Sequence, residues 1–210
     1  MKHNYIAIEG TIGAGKTSLA TKIANDFNGK LILEQFDDNP FLPKFYLEAD
    51  KYAFPLELSF LAERYQQLSS QLSSQDLFKN FTISDYFLNK SLIFAQKTLP
   101  NDMFGLYSRL FKIINASIPT PDLLVYLYLE VDRLQENIRT RGRLYEQSIA
   151  NEYLEGIQKG YFEFIKQQQN MRILILDTNK IDFVNNLDDY KKVLQHIEME
   201  YSIGIHRIVL

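Results

Sequence analysis

From Gly10 to Thr17 the chain reads Gly10-Thr11-Ile12-Gly13-Ala14-Gly15-Lys16-Thr17, which satisfies G-x-x-x-x-G-K-[ST] at every fixed position. The flanks are those the motif requires. Tyr5-Ile6-Ala7-Ile8-Glu9 is a β-prone run, and Leu19, Ile23 and Phe27 recur at i, i+4 and i+8 as on one face of a helix. The physical demand is narrow. Successive backbone N–H groups must converge on phosphate oxygens, and side chains at the closest points would block the approach. Gly10, Gly13 and Gly15 meet that demand, while Thr11, Ala14 and Ser18 contribute backbone around them. Lys16 adds a point charge for the phosphates, Thr17 can ligate Mg²⁺, and the following helix turns its positive end towards the anion. The segment implies that a nucleoside triphosphate, ATP or another donor, is held here.

The order of elements around this loop sets a fold class. Leu31-Ile32-Leu33 is a second short strand, closed by Glu34, so strand, helix and strand follow one another as in a parallel α/β sheet. Residues 35–55 hold Pro40, Pro43 and Pro55 and read as loop and short helix; a helical pattern then runs from Leu56 to Leu77. Within it the Gln- and Ser-rich tract Gln66–Gln75 keeps Leu68 and Leu72 four apart, as a solvated helix does. Phe81–Asp85 predicts a third strand, and a long helical region follows with a break near Pro100-Asn101-Asp102. Leu123–Leu129 predicts a strand buried on both faces. Asp132–Arg139 and Glu152–Gln168 predict helices around a basic, Gly-containing hinge at Thr140–Tyr145. Arg172–Leu176 predicts a fifth strand and Leu187–Tyr201 a closing helix. The expectation is a three-layer α/β sandwich with a five-stranded parallel sheet, of the P-loop type, in one domain over residues 1–210.

Composition removes whole classes of function. The 210 residues include no Cys, which excludes disulfide scaffolds, thiolate metal sites and cysteine nucleophiles. A net charge of −3 argues against a general binder of nucleic acid or anionic membranes. The longest apolar run, Leu123–Leu129, falls far short of the roughly 20 residues that span a bilayer. The amino terminus lacks a secretory apolar region, so a cytoplasmic location is expected. His3, His196 and His206 lie near the termini, away from every motif.

Among chains that bear such a loop, no Asn-Lys-x-Asp base-reading motif marks a GTPase switch. The length and the basic hinge instead fit a small-molecule kinase with a lid at about residues 139–150, in which Arg141 and Arg143 neutralise charge on the transferred phosphoryl group. From about His3 to Glu200 the sequence resembles the deoxynucleoside kinases, whose members include deoxycytidine, deoxyguanosine and bacterial deoxyadenosine kinases. The resemblance implies ATP- and Mg²⁺-dependent phosphorylation of a nucleoside 5′-hydroxyl in nucleotide salvage, by a homodimer. It makes Glu34 the catalytic base, Tyr46 and Glu146 partners of the sugar 3′-hydroxyl, Arg64 a group near the base, and Phe94 the ring that stacks on it. It also makes Asp182 and Phe183 part of the loop against the ATP adenine. The chemistry of Glu34 stands beside the resemblance: a hydroxyl is a poor nucleophile at neutral pH, and a contacting carboxylate can take its proton as transfer proceeds.

Two segments depart from the family pattern. Where the family has Asp/Glu-Arg-Ser after the third strand, this chain has Ser84-Asp85-Tyr86. Asp85 then supplies the carboxylate for Mg²⁺, and the arginine's task falls to a lid arginine or to nothing. Glu57 stands where the family reads the base with glutamine, and Lys90 replaces an acid that pairs with Arg64. Glu57 then either accepts from the base or pairs with Lys90, and Arg64 either faces the base or pairs with Glu57 or another acid on its helix. The resemblance to bacterial members points to a purine deoxynucleoside. A nucleoside monophosphate kinase of the thymidylate kinase type, and a nucleotide-binding regulator weakened in turnover, are the competing readings.

Overall fold

The computed structural model describes residues 1–35, 39–73 and 76–210. The chain divides into two compact units, one of Met1–Leu33, Asp76–Phe87 and Thr120–Leu210, the other of Glu34–Gln75 and Leu88–Pro119.

The first unit is a parallel sheet flanked by helices, the three-layer α/β arrangement that the alternation of strand and helix implies. Its strands are β1 (Tyr5–Gly10), β2 (Lys30–Ile32), β3 (Thr82–Ser84), β4 (Leu123–Tyr128), β5 (Arg172–Asp177) and β6 (Gly204–Val209), in the order β2-β3-β1-β4-β5-β6. Every pairing is parallel, with Ile6 opposite Ile83 on one side and Leu123 on the other. The helices are α1 (Lys16–Asp26), α6 (Val131–Arg141), α7 (Asn151–Gln167) and α8 (Leu187–Ile197). β1 is buried at all six positions and β4 at five, which is why both read as unbroken apolar runs. Leu19 and Ile23 of α1, Leu134 and Ile138 of α6, and Leu154 and Ile157 of α7 complete that core with no exposure.

The second unit is helical: α2 (Leu42–Leu47), α3 (Ala49–Leu72), α4 (Lys90–Thr98) and α5 (Asn101–Asn115). Leu56, Leu61 and Leu68 of α3 are buried, as are Ile93 and Ala95 of α4 and Tyr107 and Phe111 of α5.

The sheet has six strands rather than the expected five. β6 follows the closing helix, which ends at Ile197 rather than Tyr201. Its residues alternate between half-buried and exposed at the sheet edge, so it carries His206 and Arg207 and never forms an apolar run. Pro55 lies inside α3 rather than before it. Removing one N–H near the start of a 24-residue helix is a local loss, and the buried Ala53 and Leu56 hold the turn in place. The expected loop over 35–55 and helix over 56–77 include residues 36–38 and 74–75, which lie outside the described ones. Among the described residues no helix is long and apolar enough to cross a membrane.

Candidate active site

β1 delivers the glycine-rich loop directly into α1, and two of its glycines are required by geometry. Gly13 and Gly15 have φ of 87° and 86°, a region that L side chains avoid. A Cβ on Gly13 would lie 2.7 Å from the Leu134 carbonyl oxygen, and one on Gly15 would lie 2.8 Å from Cζ of Phe183. Lys16 Nζ donates to the carbonyls of Gly10 and Thr11 at 2.9 and 3.1 Å, which curls the ammonium back over the loop. Thr17 Oγ1 donates to Asp85 Oδ2 at 2.5 Å. The two residues expected to serve a metal ion are therefore brought together from α1 and the end of β3, 68 positions apart in the chain.

Glu9, the residue before the loop, sets the segment that carries Asp85. It is buried, its Oε1 accepts from the Phe87 N–H at 2.7 Å, and its Oε2 accepts from the Tyr161 hydroxyl at 2.7 Å. A carboxylate at the end of an otherwise apolar strand signals such a role, although its partners cannot be read from spacing.

A cavity of 480 Å³ opens beside the loop, lined by Gly13 to Ser18 among others. Arg133, Asn137, Thr140 and Arg141 reach it from one face of α6, at i, i+4, i+7 and i+8. Sequence reasoning named only the last arginine of this row; the helical spacing was the available signal. Asn137 Nδ2 also donates to the Gly13 carbonyl at 2.8 Å. Asp182 and Phe183 line the same cavity. Phe183 is buried against Gly15, whereas the Asp182 carboxylate accepts from the N–H groups of Val184 and Asn185 and shapes its own loop. Lys22, missed in the sequence, ties this loop to α1 by donating to the carbonyls of Phe183 and Val184, both at 3.1 Å.

The basic hinge comprises the last turn of α6, Gly142 in a left-handed conformation, and a 3-10 turn at Leu144–Glu146. Arg141 and Arg143 both line the cavity, and both pair with the buried carboxylate of Glu146. Glu146 is not among the cavity's lining residues.

In the helical unit, four ionisable side chains gather where an apolar core would be expected. Glu34 Oε1 accepts from Arg64 Nε and Nη2 at 2.8 and 2.6 Å, and Oε2 accepts from Lys90 Nζ at 2.5 Å. Arg64 is braced from α4, donating through Nη1 to Ser91 Oγ at 2.7 Å. Burial alone would push the Glu34 carboxyl up, but Lys90 and Arg64 outweigh it and hold the group down at about 2. Glu57, two turns before Arg64 on the same face of α3, has the opposite fate. Burial pushes its carboxyl up to about 7, against a Thr98 hydrogen bond of 2.8 Å and the charges of Arg64 and Lys90.

This cluster decides between the pairings left open by the sequence. Arg64 pairs with Glu34 and not with Glu57, and Lys90 also pairs with Glu34 rather than Glu57. The second cation on Glu34 is thus Lys90. The half-buried Phe94, one turn along α4, has its ring 5.5 Å from Lys90 Nζ. Tyr46 lies on α2, with its ring edge-on to Phe45 at 5.6 Å.

Comparison with known proteins covers almost the whole chain. A family described as deoxynucleoside kinase matches residues 6–201. A deoxyguanosine kinase of Bacillus subtilis is 36% identical over 200 residues, which are 92% of this chain and 96% of that one. A deoxyadenosine kinase of Dictyostelium discoideum is 29% identical over 203 residues, covering 96% of this chain and 81% of that one. Among solved structures, a deoxyadenosine kinase from M. mycoides with bound dATP superposes with a TM-score of 0.80 at 23% identity, over 94% of this chain and all of that one, a likeness of fold.

Proposed function

The chain belongs to the deoxynucleoside kinase family, and from that premise we propose that it transfers the γ-phosphoryl group of ATP to the 5′-hydroxyl of a purine deoxynucleoside. It is an enzyme of that class and uses a nucleotide donor. The observation that carries the finer reading is Glu34, a buried carboxylate kept ionised by two cations. A group held near 2 is a weak proton sink but a good hydrogen-bond acceptor. That suits phosphoryl transfer, in which the transition state is loose and the hydroxyl need not be deprotonated early. Glu34 then orients the nucleophile and receives its proton late. Lys90 fills the role for which the family pattern implied an arginine after Asp85.

On the donor side, the loop amides and Lys16 hold the phosphates, and release of Lys16 from its own loop carbonyls frees its charge for them. Asp182 and Phe183 take the adenine side. Thr17 and Asp85 present a hydroxyl and a carboxylate side by side, hard oxygen donors that fit Mg²⁺. When bound, that ion would neutralise charge between the β- and γ-phosphates. Arg141 and Arg143, exchanging Glu146 for phosphate oxygens, give the stretch 139–150 the work of a lid. On the acceptor side we assign Tyr46 and Glu146 to the sugar, Phe94 to stacking, and Arg64, Lys90 and Glu57 to the polar wall around the nucleoside. Relatives named for deoxyguanosine and deoxyadenosine support the purine preference.

The two compact units work in this reading as one catalytic domain, in the cytoplasm and in nucleotide salvage. We also propose a homodimer. Met103, Leu106, Leu110 and Ile113 form an exposed apolar stripe along α5, at i, i+3, i+7 and i+10.

The test is ATP consumption against a panel of deoxynucleosides, ribonucleosides and nucleoside monophosphates, with Mg²⁺ varied. Turnover led by deoxyguanosine or deoxyadenosine is expected. Activity confined to monophosphates would assign the chain to monophosphate kinases, and ATP binding without any turnover would make it a regulator.

A further inference from the structure

Glu57 Oε2 is buried and has no hydrogen-bond partner among the described residues. A buried carboxyl oxygen left alone is costly, so its presence calls for a partner that arrives with a ligand. The other oxygen is fixed. Thr98 Oγ1 donates to Oε1, and Thr98 sits one turn beyond Phe94 on α4, so the carboxyl is held against the helix that carries the aromatic ring. The charged and titratable groups around it come from every neighbouring element: Arg64 on α3, Lys90 on α4, Tyr107 on α5 and Glu34 after β2. Arg64 and Lys90 point their hydrogen bonds at Glu34, and Tyr107 donates to the Glu57 backbone carbonyl rather than its side chain. None of them satisfies Oε2.

With Oε1 occupied, what Oε2 can do depends on a single proton. Ionised, it is an acceptor only; neutral, it can donate an O–H. The two purines ask for opposite things on their Watson–Crick edges. Guanine offers the donors N1–H and N2–H₂, whereas adenine offers N1 as an acceptor beside its N6–H₂ donor. We propose that Glu57 is a proton-switched purine selector, binding deoxyguanosine through its carboxylate and deoxyadenosine through its neutral acid. The proposal rests on the nucleoside-binding role assigned above. Because burial brings the carboxyl to about 7, both forms are populated at neutral pH and one site serves both bases. Deoxyguanosine binding expels a proton to solvent, and deoxyadenosine binding takes one up.

The experiment measures kcat/KM for both nucleosides with ATP and Mg²⁺ between about pH 6 and 8.5, in the wild-type enzyme and in Glu57→Gln. The ratio for deoxyguanosine over deoxyadenosine should rise by up to about tenfold per pH unit, the limit set by single-proton linkage, and by at least about tenfold in all. In Glu57→Gln, whose amide has fixed donor and acceptor atoms, the ratio should not change with pH. Calorimetric titration of the wild-type enzyme in buffers of different ionisation enthalpy should show proton release with deoxyguanosine and uptake with deoxyadenosine. A flat ratio in the wild type, or the same slope in Glu57→Gln, would overturn the selector while leaving the kinase intact. Turnover of neither nucleoside at any pH would overturn the kinase reading and the selector with it.

Discussion

Glu34 and Glu57 are both glutamates, both buried in the same helical unit, yet their carboxyls lie about five pH units apart. The difference comes from where Arg64 and Lys90 direct their hydrogen bonds. Replacing Lys90 by Met removes one cation from Glu34, so its carboxyl rises towards the ordinary range. The wild-type rate should hold down to about pH 5, because the Glu34 carboxyl stays ionised there. Lys90→Met should lose rate as the pH falls through a higher midpoint, seen in the pH profile of kcat. A profile identical to wild type would show that Lys90 does not set the state of Glu34. Asp85→Asn weakens the oxygen pair around Thr17; the Mg²⁺ concentration for half-maximal rate should rise by about tenfold or more.

The loop between β1 and α1 is the element whose sequence spoke most directly, because a phosphate cradle requires glycine at fixed spacings and tolerates little else. Gly15→Ala should cost about 1–3 kcal/mol from its left-handed backbone, with more from the contact with Phe183. Thermal unfolding with and without ATP checks this, and the shift given by ATP should shrink in the variant. β1, β4 and β5 were legible because they are buried on both faces. β6 was not, because an edge strand need not be apolar. The extension of α3 through Pro55 was hidden for a similar reason: local propensity marks a break, and tertiary burial decides otherwise. The cluster around Glu34 was named residue by residue through resemblance, but its pairing was not legible. Glu34 and Lys90 lie 56 positions apart, and only the packing of α3 and α4 makes Lys90 a partner of Glu34 rather than of Glu57.

Taken over the whole chain, the two glutamates also bound the pH range of stability. Glu34 is depressed from 4.5 to about 2, so its contribution is present above about pH 4.5 and is lost as the pH falls towards 2. Glu57 is raised from 4.5 to about 7, so its contribution is present below about pH 4.5 and is lost as the pH rises through 7. The loss between about pH 4.5 and 7 is on the order of 3 kcal/mol. Melting temperatures measured across pH should fall between about pH 4.5 and 7, and Glu57→Gln should flatten that limb. Assembly is tested at the same level: sedimentation should show a dimer, and Leu106→Asp on the α5 stripe should give monomers. The proposed reaction depends most on Glu34. Single-turnover transfer from ATP to deoxyguanosine or deoxyadenosine should slow by about 10²–10⁴-fold in Glu34→Gln, with ATP affinity unchanged. Full-rate transfer by Glu34→Gln would contradict the assignment.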